Sequence, residues 1–423
     1  MDHLLADLNA RGLVHESTDQ AALAARLGEG PMALYYGCDP TADSLHLGNL
    51  IGLLVLRRFQ DAGHRPIALA GGATGMVGDP GGRSEERNLL DAETLSRNVA
   101  AIKEQISRVV ELSEGGGALV DNRDWTAPIT LLDFLRDVGK HVTVGQMIAR
   151  DSVKNRLASE HGISYTEFSY MLLQANDYLW LHDNLDCVLQ IGGSDQWGNL
   201  VSGVDLIRRA RGAHVHALAW PLLLAPDGSK LGKTTGARTW LDSSKTSPYQ
   251  FHQHFVNISD AEVAQQFPML SLRPLTEVRA LLAEHALSPE KRVAQRALAD
   301  EITEIVHGID AARSAREAAD VLFGGDPLVA SAAAIDVLRR EVPTTELSSE
   351  HLNDPVDVLV ATSLASSKSE ARRLLEQRGT RANGVPLGPE VLLSDVPLLH
   401  DRFVLLRKGK SRYHLVEISR PGG

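Results

Sequence analysis

The feature that most constrains this chain is an apolar strand that runs into a polar turn and then into an apolar helix. Residues 32–36 are Met-Ala-Leu-Tyr-Tyr, an apolar run of strand length, and Gly37 then allows the backbone to turn. Residues 39–40, Asp-Pro, direct the chain away from the strand. Residues 50–56 are apolar on most sides of a helix, so we expect this helix to be buried.

The N-terminus of that helix is a place where an anion can bind. Its unpaired N–H groups and the positive end of the helix dipole favour negative charge, and His46 lies close by. Asp43 or Ser44 is predicted to be the N-cap. Taken alone, the run His-Leu-Gly-Asn at 46–49 is also typical of a histidine that only caps or packs.

A second polar motif follows much later in the chain. Residues 230–234 are Lys-Leu-Gly-Lys-Thr, directly after the turn residues Pro-Asp-Gly-Ser at 226–229. Two lysines around a glycine form a basic loop that suits a polyphosphate, although a solvated basic loop is the common alternative. The occurrence of both motifs in this order favours phosphate chemistry.

The intervening sequence predicts an α/β fold with a parallel sheet. Residues 66–70 form a second apolar strand after the first helix, and 185–191 form another that leads into Gly-Gly-Ser-Asp-Gln at 192–196. Strand–helix–strand units pair in parallel, and ligands bind beyond the carboxyl ends of such strands. Residues 71–72, Gly-Gly, permit close backbone approach there, or form only a tight turn.

A predicted helix over 166–181 carries three polar side chains on one face. Tyr170, Gln174 and Asp177 are spaced by four and three residues and lie among apolar neighbours. Buried polar groups need hydrogen-bond partners. An internal network or a bound ligand could supply them.

Composition limits the classes of protein that the chain can be. Its 423 residues suggest about three domains, and a net charge of −11 argues against a surface that binds nucleic acid throughout. Residues 368–412 differ, with ten Lys and Arg against five Asp and Glu. No apolar run approaches ~20 residues, and residues 1–30 do not resemble a signal peptide, so no membrane contact and a cytoplasmic location are expected. Cys38 and Cys187 alone predict neither a disulfide framework nor a metal cluster.

These motifs together resemble the class I aminoacyl-tRNA synthetases, most closely their bacterial tyrosine branch. Four further stretches carry the resemblance, which covers essentially the whole chain: 71–75, 78–80, 165–170 and 192–198. The resemblance implies a Rossmann-like parallel-sheet catalytic domain that binds ATP and tyrosine, a small helical domain that binds the anticodon, and a small α+β RNA-binding domain similar to that of a ribosomal protein. The expected ranges are 1–240, 241–325 and 355–423, with a linker at 326–354.

The resemblance also implies an activity and its participants. The tyrosine carboxylate would attack ATP to give tyrosyl-adenylate and pyrophosphate, and the tyrosyl group would then pass to the 3′-end of tRNA(Tyr). ATP is expected as a substrate, Mg²⁺ is expected to accompany it without a dedicated protein site, and the enzyme is expected to be a homodimer.

The site residues that the resemblance implies fall into four sets. The expected catalytic residues are Thr41, His46, Lys230, Lys233 and Thr234. The expected tyrosine-binding residues are Tyr35, Asp79, Tyr170, Gln174, Asp177 and Gln196. The expected ATP-binding residues are Gly37, Asp39, His46, Gly48, Asn49, Gly193, Asp195 and Lys233. The expected RNA-binding residues are Lys368, Arg372, Arg373, Arg378, Lys408 and Lys410.

The chain departs from the pattern of this family at two positions. Asn49 stands where the first motif has its second histidine, and Cys38 stands where the tyrosine enzymes usually have phenylalanine. Because asparagine can still donate a hydrogen bond, we expect altered nucleotide contacts and not inactivity. Two alternatives remain open at this point: a ligase for tryptophan or another aromatic amino acid, and an RNA-binding protein that has lost amino-acid activation.

Overall fold

The computed structural model describes residues 3–79, 90–112, 117–158, 162–223 and 238–419. The chain divides into two compact units. The first comprises Met1–Thr246 and Phe255–Leu298, and the second comprises Ser247–His254 and Ala299–Gly423.

A six-stranded sheet forms the centre of the first unit. Its strands in chain order are β1 (Glu16–Ser17), β2 (Ala33–Cys38), β3 (Arg65–Ala70), β4 (Ala118–Asp121), β5 (Cys187–Gly193) and β6 (His216–Trp220). They are arranged in the order β1-β6-β5-β2-β3-β4. All neighbours pair in parallel except β1 and β6, which pair antiparallel. The parallel sheet predicted from the sequence is therefore confirmed.

Helices connect these strands. In chain order they are α1 (His3–Ala10), α2 (Gln20–Gly28), α3 (Leu47–Asp61), α4 (Thr74–Val77), α5 (Ala92–Val109), α6 (Arg123–Thr126), α7 (Leu131–Asp137), α8 (Val144–Ile148), α9 (Asp151–Leu157), α10 (Tyr165–Leu185) and α11 (Trp197–Arg211). The order of the strands reverses between β2 and β5, which are neighbours in the sheet although β3 and β4 come between them in the chain.

The first helix after β2 begins later than the sequence predicted. The N-cap of α3 is His46 itself, so the expectation that Asp43 or Ser44 caps it is wrong. His46 Nδ1 accepts from the Gly48 N–H at 3.0 Å, and Asn49 Oδ1 accepts from the His46 N–H at 3.1 Å. These two bonds form a capping box, a role usually filled by Ser or Thr with Glu or Gln. Most of α3 is buried, as predicted.

The next part of the chain is helical. Its helices are α12 (Pro248–Asn257), α13 (Asp260–Leu270), α14 (Leu275–Leu287), α15 (Val293–His307), α16 (Ile309–Leu322) and α17 (Ala332–Glu341). The helical pattern predicted from 247 to about 323 is confirmed. Residues 326–354, which the sequence suggested as a linker, contain α17 and a strand, β7 (Thr344–Ser348).

The second unit ends in a five-stranded mixed sheet. Besides β7 it contains β8 (Thr380–Ala382), β9 (Val385–Pro386), β10 (Phe403–Lys408) and β11 (Arg412–Ser419), with helices α18 (Pro355–Ala361) and α19 (Lys368–Glu376). The strand order is β7-β11-β10-β8-β9. Asn383 and Gly384 link β8 to β9 with φ values of 45° and 83°, which explains why this hairpin has an Asn-Gly sequence. The predicted α+β part is confirmed.

The described residues contain neither a membrane-spanning helix nor a metal-binding cluster. Within the ranges given above, no helix is long and apolar enough to cross a membrane. In the same ranges, no group of three or more His, Cys, Asp or Glu side chains could hold a metal ion.

A buried ion pair anchors the start of α10. Arg156 Nη2 lies 2.5 Å from Glu167 Oε2, and the two side chains are 4% and 2% exposed. We expect Glu167→Gln to lower the free energy of unfolding by about 3–5 kcal/mol, because it removes one charge of a buried ion pair. Chemical denaturation measures this. Glu93→Gln, which breaks the exposed pair with Arg97, is the control and should have little effect; equal effects of the two variants would contradict the prediction.

Candidate active site

A cavity of about 310 Å³ opens at the carboxyl ends of β2 and β5. This is the point where the strand order reverses, and open α/β sheets bind ligands at such points. Fourteen residues predicted from the sequence line the cavity: Tyr35, Gly37, Asp39, Thr41, His46, Gly48, Asn49, Asp79, Tyr170, Gln174, Asp177, Gly193, Asp195 and Gln196. The structure thus brings together residues from the first motif, from α10 and from the end of β5, which lie far apart in the chain.

The second motif, with Lys230, Lys233 and Thr234, lies outside the described residues. Leu223 and Arg238, the described residues nearest to it on either side, both line the cavity. The chain then pairs with the first motif, because the Leu47 N–H donates to Thr239 O at 3.3 Å and the Leu241 N–H donates to Leu45 O at 2.9 Å. The segment that follows the lysine motif is therefore held beside the first motif.

The polar face of α10 borders the cavity. The Tyr170 hydroxyl donates to Asp39 Oδ2 at 2.8 Å, and the Thr74 hydroxyl donates to Asp39 Oδ1 at 2.7 Å. Asp39 was expected at the ATP, and its carboxylate also contacts this face. Asp177 accepts from Asn122 Nδ2 and from Trp125 Nε1, each at 2.9 Å.

Three buried polar atoms near this face have no hydrogen-bond partner among the described residues. They are the Tyr35 hydroxyl, Gln174 Oε1 and Gln190 Oε1, and all three residues line the cavity. A buried polar group without a partner costs about 1–3 kcal/mol. Such a cluster at a cavity is therefore a place where a polar ligand gains free energy by binding.

The opposite side of the cavity combines an acid, an amide and a glycine. Gln196 Nε2 donates to Asp79 Oδ2 at 2.5 Å, and Asn199 Nδ2 donates to Gln196 Oε1 at 2.9 Å. A Cβ on Gly193 would lie 2.9 Å from Asp195 Oδ1, so a larger residue would crowd this carboxylate. The backbone of Gly193 and the carboxylate of Asp195 therefore lie together at the end of β5.

Burial controls protonation at the floor of the cavity. Burial raises the pKa of Asp177 to about 7, although its hydrogen bonds from Asn122 and Trp125 lower it. Burial, and then the charge of Asp177, raise the pKa of Tyr35 well above its usual value of about 10. The Tyr35 phenol therefore stays protonated, while Asp177 can change charge near neutral pH.

Sequence reasoning missed four residues of this floor: Thr74, Asn122, Trp125 and Gln190. Asn122 directly follows β4, so the rule that placed other residues at the carboxyl ends of strands could have found it. Gln190 lies opposite Tyr35 in the register of β2 and β5. No periodicity in the sequence pointed to Trp125, which reaches Asp177 from α6.

The predicted RNA-binding residues lie in the second unit, and half of them are in ion pairs. Lys368 pairs with Asp357 at 2.6 Å, Arg378 with Glu390 at 3.1 Å and Lys408 with Glu370 at 2.8 Å. Lys408 also donates to Leu364 O at 2.8 Å, so it connects β10 to the segment before α19. The remaining three, Arg372, Arg373 and Lys410, are exposed.

Comparison with known proteins identifies the family. Residues 27–324 match the model of class I tRNA synthetases for tryptophan and tyrosine, and the chain belongs to this family. Residues 334–416 match the C-terminal domain of the tyrosine–tRNA ligase type. The fold and family that the sequence predicted are thus confirmed.

Individual relatives agree with this family. A tyrosine–tRNA ligase of Opitutus terrae is 47% identical over 98% of this chain and 99% of its own length. One of Mycobacterium leprae is 46% identical over 96% of this chain and 97% of its own. The crystal structure of a C-terminally truncated mitochondrial tyrosyl-tRNA synthetase of Aspergillus nidulans has a TM-score of 0.69 at 31% identity, covering 76% of this chain and 94% of that one.

The raised pKa of Asp177 predicts how the stability of the protein depends on pH. Because its pKa is about 7 in the fold and about 3.9 in an unfolded chain, the unfolded state loses this proton first as pH rises. The stability of the wild type relative to Asp177→Asn should therefore fall between about pH 4 and pH 7 and level off above. Denaturant unfolding of both proteins across this range measures it. A difference that does not vary with pH would contradict the assignment.

Proposed function

We propose that this chain is a tyrosine–tRNA ligase that joins tyrosine to tRNA(Tyr) in two steps. In the first step an oxygen of the tyrosine carboxylate attacks the α-phosphorus of ATP, and the bond to pyrophosphate breaks. In the second step a hydroxyl at the tRNA 3′-end attacks the carbonyl carbon, and AMP leaves. The family, the relatives and the cavity support this proposal.

The observation that carries the amino-acid specificity is the unpaired Tyr35 hydroxyl beside Asp177. The phenolic hydroxyl of a tyrosine substrate would donate to Asp177 and accept from Tyr35, so both buried groups gain a partner. Phenylalanine has the same shape but lacks the hydroxyl, so it would leave the Tyr35 hydroxyl without a partner and Asp177 with only its bonds from Asn122 and Trp125. Tyrosine-activating enzymes are the established example of this principle, since they reject phenylalanine by about 10⁵-fold without an editing step.

The rest of the tyrosine molecule would use the remaining polar atoms of the cavity. We assign its α-ammonium to Tyr170, Gln174 and Asp79, since these supply two oxygen acceptors and a carboxylate. We assign its carboxylate to the amide of Gln196, which borders Asp79. This orientation directs the carboxylate toward the end of the cavity that His46 and Asn49 line.

ATP would occupy that end. We assign the ribose to Gly193 and Asp195, because a carboxylate can accept from two neighbouring hydroxyls. We assign the phosphates to the positive end of the α3 dipole, near Gly48 and Asn49, with the backbone of Gly37 and Asp39 at the end of β2. The N–H groups of Leu47 and Gly48 are already bonded to Thr239 O and His46 Nδ1, so the dipole would attract the phosphates without direct bonds from these two groups. His46 Nδ1 accepts a backbone N–H, so Nε2 carries the ring proton and can donate to a phosphate oxygen.

Catalysis would come from positioning and charge, without a protein nucleophile. Thr41 and His46 would contact the phosphates from one side, and Lys230, Lys233 and Thr234 would contact the departing pyrophosphate from the other. Mg²⁺ would enter with ATP, since it usually binds through substrate phosphates, and would neutralise part of their charge.

We assign tRNA binding to the second half of the chain. Residues 241–325 would bind the anticodon, and 355–423 would bind structured RNA through the six basic residues Lys368, Arg372, Arg373, Arg378, Lys408 and Lys410. The exposed residues among these six are stronger candidates for RNA binding than Lys408, because Lys408 is already engaged with Glu370 and a backbone carbonyl. Since ATP and tRNA are cytoplasmic, we propose the cytoplasm as the location.

We also propose that the enzyme is a homodimer. Helices α7, α8 and α9 and the start of α10 pack around one small core and leave large apolar side chains exposed: Leu131, Leu132, Leu135, Val144, Ile148, Leu157 and Tyr165. Exposed apolar side chains grouped in this way are typical of protein interfaces. A second copy of the chain is the occupant that would cover them in a symmetric dimer.

ATP–pyrophosphate exchange tests the activity and the phenol-binding assignment together. The wild type should support exchange with tyrosine and not with phenylalanine or tryptophan. Tyr35→Phe should discriminate against phenylalanine about 3- to 10-fold less strongly than the wild type does, since one hydrogen bond contributes about 0.5–1.5 kcal/mol. Steady-state kinetics with each amino acid gives these ratios.

Tyr178→Phe is the matched control for that experiment. Tyr178 packs against Tyr35 with ring centroids 5.4 Å apart, but its hydroxyl donates to His216 O and it does not line the cavity. This variant should keep the discrimination. Exchange with another amino acid would replace tyrosine as the substrate. No exchange by a folded protein that binds tRNA would overturn the ligase and favour an RNA-binding protein.

The proposed dimer makes a separate prediction. Leu132→Asp places a charge among apolar side chains that we expect to be covered by the second copy, since Leu132 is 76% exposed in the single chain. It should shift the protein from dimer to monomer in light scattering. Leu287→Asp, at a residue that is 86% exposed elsewhere, should leave the dimer intact. A wild type that is monomeric at micromolar concentration would contradict the proposal.

A further inference from the structure

Helix α5 carries two buried amides on the side that packs against the first motif. Asn98 is 5% exposed and Gln105 is 6% exposed, among apolar residues such as Leu95, Ile102 and Ile106. The two amides are seven residues apart, which is about two helical turns. Buried amides need partners, and here the partners are backbone and side-chain groups of residues 40–45.

Gln105 contacts three successive residues directly before His46. Its Oε1 accepts from the Leu45 N–H at 2.8 Å and lies 3.3 Å from the Ser44 hydroxyl, and its Nε2 lies 3.4 Å from Asp43 O. Asn98 Nδ2 donates to Pro40 O at 3.0 Å. Residues 40–45 have no regular secondary structure, so these amides supply hydrogen bonds that a helix or sheet would otherwise provide.

The same residues also bind the segment that follows the lysine motif. The Asp242 N–H donates to the Ser44 hydroxyl at 3.1 Å, and the Leu241 N–H donates to Leu45 O at 2.9 Å. Ser44 is 5% exposed, so water does not compete freely for its hydroxyl. Gln105, Ser44 and Asp242 thus form one continuous chain of contacts from α5 to the first motif and to the segment that follows the lysine motif.

We propose that Gln105 is a positioning residue that holds the first motif in register with residues 241–242, in the segment that follows the lysine motif, during adenylate formation. It contacts no substrate and acts through Ser44 and Leu45. The inference rests on the proposed ligase function, because it assigns Gln105 a role in that reaction. Positioning matters for this chemistry, since a displacement of about 1 Å at a reacting group can cost about 100-fold in rate.

Because of where Gln105 lies, its replacement should impair catalysis without weakening tyrosine binding. The tyrosine end of the cavity is built by β2, α10 and the residues after β4, and the hydrogen bonds of Gln105 all go elsewhere, to residues 43–45. Loss of the Gln105 amide should therefore displace Thr41 and His46 relative to residues 239–242 and leave the phenol site unchanged. A general loosening of the fold would weaken both.

The first experiment compares Gln105→Met with the wild type in pyrophosphate exchange and in equilibrium tyrosine binding without ATP. Methionine has a similar volume and cannot make these hydrogen bonds. We expect kcat of exchange to fall by about 10- to 100-fold while the dissociation constant of tyrosine changes by less than about 2-fold. An unchanged kcat, or a tyrosine affinity that falls as much as kcat, would overturn the proposal.

Gln295→Met is the matched control. Gln295 is a fully buried helical amide that donates to Asp260 Oδ1 at 2.8 Å, in a part of the first unit that does not line the cavity. It loses an amide hydrogen bond to the exposed Asp260 and should keep both kcat and tyrosine affinity. A loss of kcat in this variant equal to that in Gln105→Met would also overturn the proposal.

Amide hydrogen exchange separates this inference from the proposed function, because it needs no activity. In Gln105→Met, exchange should accelerate in peptides that cover 41–49 and also in those that cover 239–246, and Gln295→Met should accelerate neither. A change confined to the first segment would overturn the linkage of the two segments. If both segments respond but the wild type activates no amino acid, the proposed function fails and the physical linkage stands.

Discussion

The need to satisfy the buried polar groups of residues 39–46 is the constraint on which the rest of the site depends. This segment lies at the carboxyl end of a buried strand and has neither helical nor sheet hydrogen bonds of its own for most of its length. Its partners come from four directions: the amides of α5, the segment 239–242, the capping box at His46, and the hydroxyls of Tyr170 and Thr74, which donate to Asp39. These contacts hold residues that line the cavity, so the structural demand falls on the proposed site.

The two ends of the cavity differ in whether their polar groups have hydrogen-bond partners within the protein. Around the first motif the backbone and the Ser44 hydroxyl are bonded to other parts of the protein, which suits a loop that must stay in place while charge develops on a phosphate. Around α10 the hydroxyl of Tyr35 and the amide oxygens of Gln174 and Gln190 have no partner among the described residues. A ligand with matching polar groups would supply these partners, which is the basis of the proposed choice of tyrosine. Under the proposed function, the bonded segment would hold the phosphates and the polar groups around α10 would select the amino acid.

The sequence predicted the elements better than it predicted their contacts. The parallel sheet, the buried α3, the polar face of α10 and the Asn-Gly hairpin all follow from local patterns, and the structure has each of them. The N-cap of α3 was predicted too early in the chain, because Asp and Ser are better caps than His when only local preferences count. Ser44 is instead drawn into contacts with Gln105 and Asp242, which are 61 and 198 positions away in the chain. No local pattern reports contacts of that range, and for the same reason Trp125 and Gln190 were missed.

The two positions at which the first motif departs from the expected pattern, Cys38 and Asn49, both lie near Tyr36. A Cβ on Gly52 would overlap the ring of Tyr36, so the large side chain at 36 requires the absence of one at 52. Burial, and then the thiol of Cys38, raise the pKa of Tyr36 well above the usual range. Asn49 accepts the His46 N–H with Oδ1 in the capping box of α3. Asparagine at 49 therefore has a structural role in this chain, and its presence is not by itself a sign of lost activity.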